Sequence, residues 1–172
     1  EIISTRGYEK KYSASEAIVL GIAPDGGLFV PESIPSLSQD DIEEMKNMSF
    51  YQISARVLSK FLEDFTESEL REYTSQAYSE EKWGENPVPL VQLNQYNDRE
   101  YILELWHGPT CAFKDVALQM LPHLMTASVK KTGLNKKICI LTATSGDTGK
   151  AALEGFEDLP GTEIIVFYPT GG

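Results

Sequence analysis

Residues 138–168 read ICILTATSGDTGKAALEGFEDLPGTEIIVFY, which has the pattern of a strand, a tight turn, a helix and a second strand. The short apolar run Ile138–Ala143 is typical of a strand that is buried on both faces. Two glycines mark the turn, Lys150–Phe156 follows as a helix, and Glu163–Tyr168 is a second strand-like run. This stretch therefore predicts a βαβ unit within an α/β fold.

The turn between the first strand and the helix is Thr144–Gly149, with the sequence TSGDTG. Ligands of such sheets bind beyond the carboxyl ends of the strands, so the hydroxyls and backbone N–H groups of this turn would suit a carboxylate or a phosphate. A nucleotide-binding P-loop does not fit, because Thr144 replaces the first glycine and Ala151 replaces the hydroxyl residue that holds magnesium. A turn that uses its glycines only for geometry remains open.

A single lysine, Lys114, lies in the almost uncharged stretch HGPTCAFKD, residues 107–115, and Asp115 after it opens a predicted helix. Burial among apolar neighbours would disfavour the charged ammonium and favour the neutral, nucleophilic amine. Schiff-base chemistry with a carbonyl needs such an amine. The alternative is a structural lysine whose stem is buried and whose amine reaches solvent.

Together, HGPTCAFKD and TSGDTG resemble the threonine synthase family of pyridoxal-phosphate (PLP) enzymes. Three further stretches carry the same resemblance: STRG at residues 4–7, GIAPDGGLFVPE at 21–32 and LELWHGPT at 103–110. The resemblance implies a tryptophan-synthase-β-like fold, that is, the α/β fold type II of PLP enzymes, with a mainly helical amino-terminal region.

The resemblance also implies the roles of individual residues. Lys114 would hold PLP through a Schiff base and, once released by the substrate amine, would move protons as the catalytic acid and base. The cofactor-binding residues would be Lys114, Phe113, Ser145, Gly146, Asp147, Thr148 and Gly149, and the substrate-binding residues Thr144, Ser145 and Thr148. Many relatives have Asn at the position of Asp147, so the partner of this carboxylate stays open. Lys150 either adds positive charge to the loop or is a solvated surface residue.

The activity implied for the complete enzyme is the conversion of O-phosphohomoserine and water into threonine and phosphate. Two alternatives remain open. One is a threonine-synthase-like phospholyase that acts on another phosphorylated amino compound. The other is a non-catalytic binding module of the same fold.

Composition excludes several classes of partner. The chain has 172 residues and a formal net charge of -11, which argues against nucleic acid and anionic membranes. No apolar run approaches the roughly twenty residues of a membrane helix, and the first residues do not have the pattern of a signal peptide. We therefore expect a cytoplasmic protein. Cys111 and Cys139 are expected to be buried free thiols, and no metal site is predicted.

The two histidines belong to different settings. His107, before Gly108, either forms a turn-stabilising hydrogen bond or contacts the cofactor. His123 lies in an apolar helical stretch, which favours a structural role.

The first part of the chain differs from the rest, and we predict a mainly helical region over residues 1–86 and a partial PLP-binding domain over 87–172. Capping boxes begin at Ser13 and at Thr66, Ser38 can cap an acidic helix, and the run 50–63 has helical periodicity. A strand is predicted near residues 99–105. The acidic residues within 40–44 and 67–72 are expected to form solvated helix faces.

The sequence stops soon after the second strand of the βαβ unit, which predicts a portion of a longer protein. In the family, the downstream half supplies the loop for the cofactor phosphate and the partner of the pyridine nitrogen. This portion alone is therefore expected to bind PLP weakly or not at all and to lack turnover.

Overall fold

The computed structural model describes residues 1–93 and 99–170. The secondary-structure elements are, in chain order, β1 (Ile2–Ser4), α1 (Ala14–Leu20), β2 (Phe29–Pro31), α2 (Gln39–Met45), α3 (Phe50–Ser59), α4 (Glu67–Ala77), α5 (Glu80–Trp83), β3 (Leu90–Gln92), β4 (Tyr101–Leu103), α6 (Asp115–Leu118), α7 (Leu121–Thr132), β5 (Ile138–Ala143), α8 (Asp147–Phe156) and β6 (Thr162–Phe167). Helices dominate the amino-terminal region, and strands and helices are mixed in the rest.

The chain forms two compact units. One comprises Glu1–Gln76 and His123–Asn135, and the other comprises Ala77–Pro122 and Lys136–Gly172. Most of α7 thus belongs to the first unit, although its neighbours in sequence belong to the second. The domain boundary predicted between residues 86 and 87 stays a prediction.

The first helix of the first unit begins and ends at the residues that the sequence predicts. The N–H of Glu16 donates to Ser13 Oγ at 3.2 Å, and the N–H of Ser13 donates to the Glu16 carboxylate at 2.9 Å. This reciprocal capping box satisfies two N–H groups that the helix leaves without partners. Gly21 ends α1 with a φ of 72°, a conformation that favours glycine.

The other caps of this unit also follow the sequence. Ser38 caps α2 through Asp41, and Thr66 forms a capping box with Glu69 at the start of α4. Helix α3 begins at Phe50 as predicted but ends earlier, at Ser59. The apolar periodicity continues past the end of the helix, where Phe61 and Leu62 are half-buried and Phe65 is buried.

One acidic residue of α2 is buried, which corrects the expectation that residues 40–44 form a solvated face. Asp41 is 6% exposed, and its carboxylate accepts hydrogen bonds from the Ser38 N–H at 3.0 Å and from Arg56 Nη2 at 2.8 Å. The Ser38 hydrogen bonds, followed by those from Arg56 and Lys60, hold the pKa of Asp41 well below its usual value. The sequence pattern of α2 predicts the cap at Ser38. It does not predict the cations Arg56 and Lys60, which lie in α3 and directly after it.

The second unit contains the predicted βαβ arrangement. Strands β5 and β6 pair in parallel, with Ile138 opposite Thr162 and Ala143 opposite Phe167, and α8 connects them and packs against β6. The helix begins at Asp147 rather than at Lys150, so the last three residues of TSGDTG form its first turn. Strands β3 and β4 form a separate antiparallel pair. Strand β4, at Tyr101–Leu103, is shorter than the strand predicted near residues 99–105.

Strand β5 is not buried on both faces, contrary to the expectation, and β6 has the same pattern of exposure. Side chains along each strand alternate between half-buried and exposed, and Leu141 on the open face is 66% exposed. Cys139 lies among the exposed residues, and Cys111 is exposed as well, so neither thiol is buried as predicted. An apolar run predicts that a strand can be buried, but it does not show whether other elements cover both of its faces.

The core of each unit consists of apolar side chains from several elements. In the first unit Leu70 and Ala55 are buried, and the rings of His123 and Tyr73 stack at 6.0 Å between centroids, in keeping with a structural histidine. In the second unit Trp83 is buried and donates from Nε1 to the carbonyl of Ala77 at 2.9 Å. Among the described residues, none of the helices has both the length and the apolar character that crossing a membrane requires.

Candidate functional site

Lys114 immediately precedes the short helix α6 and is half-buried. Its ammonium lies over the ring of Phe113, with 4.2 Å between Nζ and the ring centroid. Within residues 1–93 and 99–170, no hydrogen bond or ion pair engages this ammonium. A half-buried amine without a partner is free to react with a carbonyl group that reaches it.

Two of the three residues before Lys114, Cys111 and Phe113, are more exposed than the apolar sequence suggests. Phe113 is 58% exposed, and Cys111 is exposed with a φ of 59°, a left-handed conformation that is uncommon outside glycine. Ala112 between them is buried. The segment therefore anchors through alternate residues and leaves one side of the Phe113 ring open.

Asp115 fixes the turn that leads to Lys114, although the sequence suggested no such role. The side chain is completely buried; its Oδ2 accepts from the N–H of Thr110 at 2.8 Å and its Oδ1 from the Thr110 hydroxyl at 2.6 Å. Gly108 makes this turn possible, because a Cβ there would lie 2.6 Å from Asp115 Oδ2 and 2.8 Å from Trp83 Cη2. The usable signal in the sequence was an acidic residue at the end of an almost uncharged motif.

His107 contacts its own segment. Its Nε2 lies 2.6 Å from Glu104 Oε2, three residues earlier in the chain. Of the two roles considered for His107, this geometry is that of a local, turn-stabilising hydrogen bond.

The TSGDTG turn presents several polar groups at the start of α8. Thr144 Oγ1 accepts from the N–H of Gly146 at 3.2 Å and from the N–H of Gly149 at 3.3 Å, which closes the turn. Ser145, Asp147 and Thr148 are exposed. In the described part of the chain their N–H groups have no hydrogen-bond acceptor.

These groups lie at the amino-terminal end of a helix of ten residues, Asp147–Phe156. Free N–H groups and the helix dipole both favour an anion at this position. The hydroxyls of Ser145 and Thr148 can donate to the same anion. The turn can therefore bind a carboxylate, a phosphate or a phenolate oxygen.

Gly149 contributes through packing. It is buried, and a Cβ at this position would lie 2.1 Å from Thr144 Cγ2 and 3.1 Å from Val166 Cγ1. Glycine thus lets the first turn of α8 lie close to the strands. Its N–H, like that of Gly146, is already bonded to Thr144, so among the described residues the free backbone donors of the turn are the N–H groups of Ser145, Asp147 and Thr148.

Lys150 joins the two motifs. Its Nζ donates to the backbone carbonyl of Thr110 at 3.0 Å, and Thr110 is the residue that Asp115 holds. Further along, α6 packs against α8 where Gly155 leaves room for the Leu118 carbonyl. The side chain of Lys150 therefore has a defined partner. Neither of the two alternatives considered for Lys150 included this bond to a backbone carbonyl.

A groove of about 640 Å³ also borders Thr110 and Lys150 but lies away from the residues predicted to react. Its wall continues along the carboxyl-terminal half of α8 to the start of β6 and includes neither Lys114 nor residues 145–148. The described residues contain no cluster of His, Cys, Asp or Glu that could hold a metal ion.

Comparisons with known proteins identify the family of this chain. A family model described as "Threonine synthase N terminus" matches residues 1–78. The threonine synthase of Saccharomyces cerevisiae is 37% identical over 98% of this chain, and the human protein named "Threonine synthase-like 2" is 32% identical over 98% of it. The chain spans about a third of the length of these curated relatives, 35% and 34% respectively.

A solved structure shows the same fold. The crystal structure of a PLP-bound threonine synthase from Brucella melitensis superposes with a TM-score of 0.88 at 34% identity, covering 99% of this chain and 36% of that protein. The predicted α/β fold type II is thereby confirmed. The chain belongs to the threonine synthase family and corresponds to the amino-terminal portion of its members.

Proposed function

We propose that Lys114 binds PLP covalently through its amine in the protein that carries this chain. The observation that carries the proposal is the half-buried Lys114 ammonium, which has no hydrogen-bond or ion-pair partner among the described residues and lies over an exposed aromatic ring. The match to a PLP-bound threonine synthase supports the same role.

The chemistry of the surrounding groups fits this cofactor. The turn at residues 144–149 offers hydroxyls and outward-facing N–H groups for an anionic oxygen, and Phe113 offers an apolar face next to the amine. In the proposal, Phe113, Ser145, Gly146, Asp147, Thr148 and Gly149 form the wall of the cofactor site with Lys114.

The chain's own residues would divide the work as follows. Bound PLP withdraws electrons from the substrate carbon that carries the amine. Lys114, once displaced from the cofactor by the substrate amine, accepts and returns protons at the adjacent substrate carbons. Thr144, Ser145 and Thr148 bind the substrate carboxylate, and the Thr144 hydroxyl can donate outward because its oxygen already accepts two N–H groups.

Asp147 would contribute its N–H rather than its carboxylate. Its side chain is exposed at the first position of α8, where a helix favours negative charge. A substrate carboxylate beside it would be repelled. The proposal therefore places the substrate on the hydroxyl side of the turn, towards Ser145 and Thr148.

The reaction proposed for the whole enzyme is that of threonine synthase, in which O-phosphohomoserine and water give threonine and phosphate. A carbon–oxygen bond to phosphate breaks and water adds to the neighbouring carbon. This activity would serve threonine biosynthesis in the cytoplasm, in keeping with two unpaired cysteines. No nucleic acid or membrane is expected to take part.

A phospholyase acting on another phosphorylated amino compound is the second candidate. It stays open because one similar protein, from human, is named threonine synthase-like rather than threonine synthase, and that name states no activity. A non-catalytic module is disfavoured because Lys114 keeps an unengaged amine next to an open anion-binding turn.

Trapping with borohydride tests the proposal. The full-length protein is incubated with PLP, reduced, digested and analysed by mass spectrometry. We expect a reduced pyridoxyl group on the peptide that contains Lys114 in the wild type and in the control Lys136→Ala, which changes an exposed lysine. We expect none in Lys114→Ala, and an unmodified Lys114 in the wild type contradicts the proposal.

Product analysis separates the candidate activities. Threonine and phosphate from O-phosphohomoserine identify a threonine synthase. A keto product with phosphate identifies a phospholyase, and trapped cofactor without either product identifies a binding module.

A further inference from the structure

Three residues in or next to the two motifs have no role in the proposed function, yet two of them bond to the third, Thr110. Thr110 and Asp115 belong to the Lys114 motif, and Lys150 follows the TSGDTG turn. We call this set the Thr110 link.

The first half of the link is buried. Asp115 is completely buried and has no cation partner within the described residues; both of its oxygens accept hydrogen bonds from Thr110, at 2.8 Å and 2.6 Å. A carboxylate in such a place is stabilised only by the donors that it meets, so Thr110 cannot move without leaving the charge unsolvated. Because Asp115 follows Lys114 directly, the backbone at Lys114 is fixed to Thr110.

The second half of the link reaches the other motif. The Lys150 ammonium donates to the Thr110 carbonyl at 3.0 Å, a charge-assisted hydrogen bond. Lys150 lies in the first turn of α8, two residues after Thr148. The contact therefore joins the helix that carries the anion-binding turn to the segment that carries the reactive amine.

We propose that the Thr110 link positions Lys114 relative to the TSGDTG turn. Thr110, Asp115 and Lys150 act as positioning residues, and none of them needs to touch the cofactor or the substrate. The inference rests on the proposed function, since it assigns the geometry of that same site. Its consequence is that the rate at which Lys114 captures PLP depends on the Lys150 ammonium, although the bond of this ammonium is to the backbone carbonyl of Thr110.

An alternative explanation for an effect of Lys150 is its charge. A lysine near an anion-binding turn can attract the cofactor phosphate through space, and salt weakens such attraction. Positioning through one short hydrogen bond is much less sensitive to salt. The two explanations therefore separate when rates are measured at low and high ionic strength.

The test uses full-length protein, and the measured quantity is the rate of borohydride-trappable PLP attachment to Lys114. Lys150→Met keeps the aliphatic stem and removes the donor, and it is expected to slow attachment about tenfold, at either ionic strength. Lys136→Met removes the same charge from an exposed site and is expected to leave the rate unchanged. Lys150→Arg keeps a cationic donor and is expected to recover most of the rate.

A second variant weakens the link at its other half, where the backbone N–H of residue 110 still donates to Asp115. Thr110→Val removes the hydroxyl bonded to Asp115 and keeps the carbonyl bonded to Lys150, and it is also expected to slow attachment. Because both substitutions disrupt the same link, the double variant is expected to be no slower than the slower single variant. Thermal unfolding of Lys150→Met is expected to match the wild type, since this side chain is exposed.

The outcomes distinguish the two levels of inference. If wild-type Lys114 captures no PLP, the proposed function fails. If the wild type captures PLP and Lys150→Met does so equally fast, or loses its defect at high salt, the positioning role is overturned while the proposed function stands.

Discussion

Gly149 and Asp115 are the two residues whose side-chain size and charge matter most to the geometry of the site. Gly149 has no room for a methyl group beside Thr144, and Asp115 is a buried carboxylate held by Thr110 alone among the described residues. Both belong to motifs that also carry candidate cofactor contacts. Substitutions at these positions must therefore be examined for stability before any effect on activity is interpreted.

Gly149→Ala is expected to destabilise the protein by about 1–3 kcal/mol, because the added Cβ would overlap the Thr144 side chain. Chemical denaturation measures the change in the free energy of unfolding. Gly146→Ala is the control, since a Cβ there meets no atom within 4 Å. Equal stability of Gly149→Ala and the wild type would show that α8 can shift without cost.

Asp115→Asn is expected to lower the free energy of unfolding by about 2 kcal/mol, which lies within the range found for hydrogen bonds to charged groups. The amide offers one acceptor where Thr110 presents two donors, and its NH2 group gains no acceptor. Asp147→Asn makes the same chemical change at an exposed position and is expected to stay within about 0.5 kcal/mol of the wild type. Comparable losses in both variants would contradict the role given to Asp115.

At the scale of secondary-structure elements, helices α2 and α3 of the first unit are connected by the buried carboxylate of Asp41. Asp41 caps its own helix through Ser38 and pairs with Arg56 of α3. The hydrogen bonds from Ser38, and then Arg56 and Lys60, lower the pKa of Asp41 from the ordinary 3.8. Since the folded state holds the ionised form, these contacts stabilise the fold at pH values above the unfolded pKa.

A pH dependence follows for this pair of helices. As the pH falls below about 3.8 towards the lowered pKa of the folded state, the unfolded state takes up the proton first and the contribution of Asp41 is lost. Asp41→Asn is therefore expected to be less stable than the wild type at pH 7, with the difference shrinking below pH 3.8. Chemical denaturation at neutral pH and in the acid range measures this difference in the free energy of unfolding.

The matched control is Asp40→Asn, which changes an exposed acid of the same helix. It is expected to show no such convergence. A constant difference between Asp41→Asn and the wild type across the acid range would mean that Asp41 stabilises the fold by packing rather than by charge.

At the scale of the whole molecule, two observations concern cofactor binding. One is the open face of the β5–β6 sheet, and the other is the fraction of its relatives that this chain covers. Parallel strands are usually covered on both faces, whereas Leu141 and Phe167 are exposed here. The chain covers 36% of the PLP-bound relative. The family resemblance places the cofactor phosphate loop in the downstream part of such enzymes.

The 172-residue chain on its own is therefore expected to bind PLP weakly or not at all, and the full-length protein to bind it firmly. Equilibrium dialysis against PLP measures both affinities, and full-length Lys114→Ala gives the background from surface lysines. Firm, Lys114-dependent binding by the 172-residue chain would show that the phosphate contacts lie within it.

The features that could be predicted from the sequence are those that depend on residues close together in the chain. The Ser13–Glu16 capping box spans three residues and is confirmed, as are the helix end at Gly21 and the βαβ order. The bond between Asp41 and Arg56 spans fifteen residues and that between Lys150 and Thr110 spans forty, and no local pattern indicates either. The roles of the individual site residues remain predictions.

The sequence by itself therefore determined the helix caps, the strand–turn–helix–strand order and, through its two long motifs, the family. Only the tertiary structure decided which face of each strand is covered, that Cys111 and Cys139 are exposed, and that Asp115 is buried. It also decided that Lys150 bonds to Thr110. The physical reason is that caps and periodicity come from hydrogen bonds within a few residues, whereas burial and long-range bonds depend on which distant segments pack together.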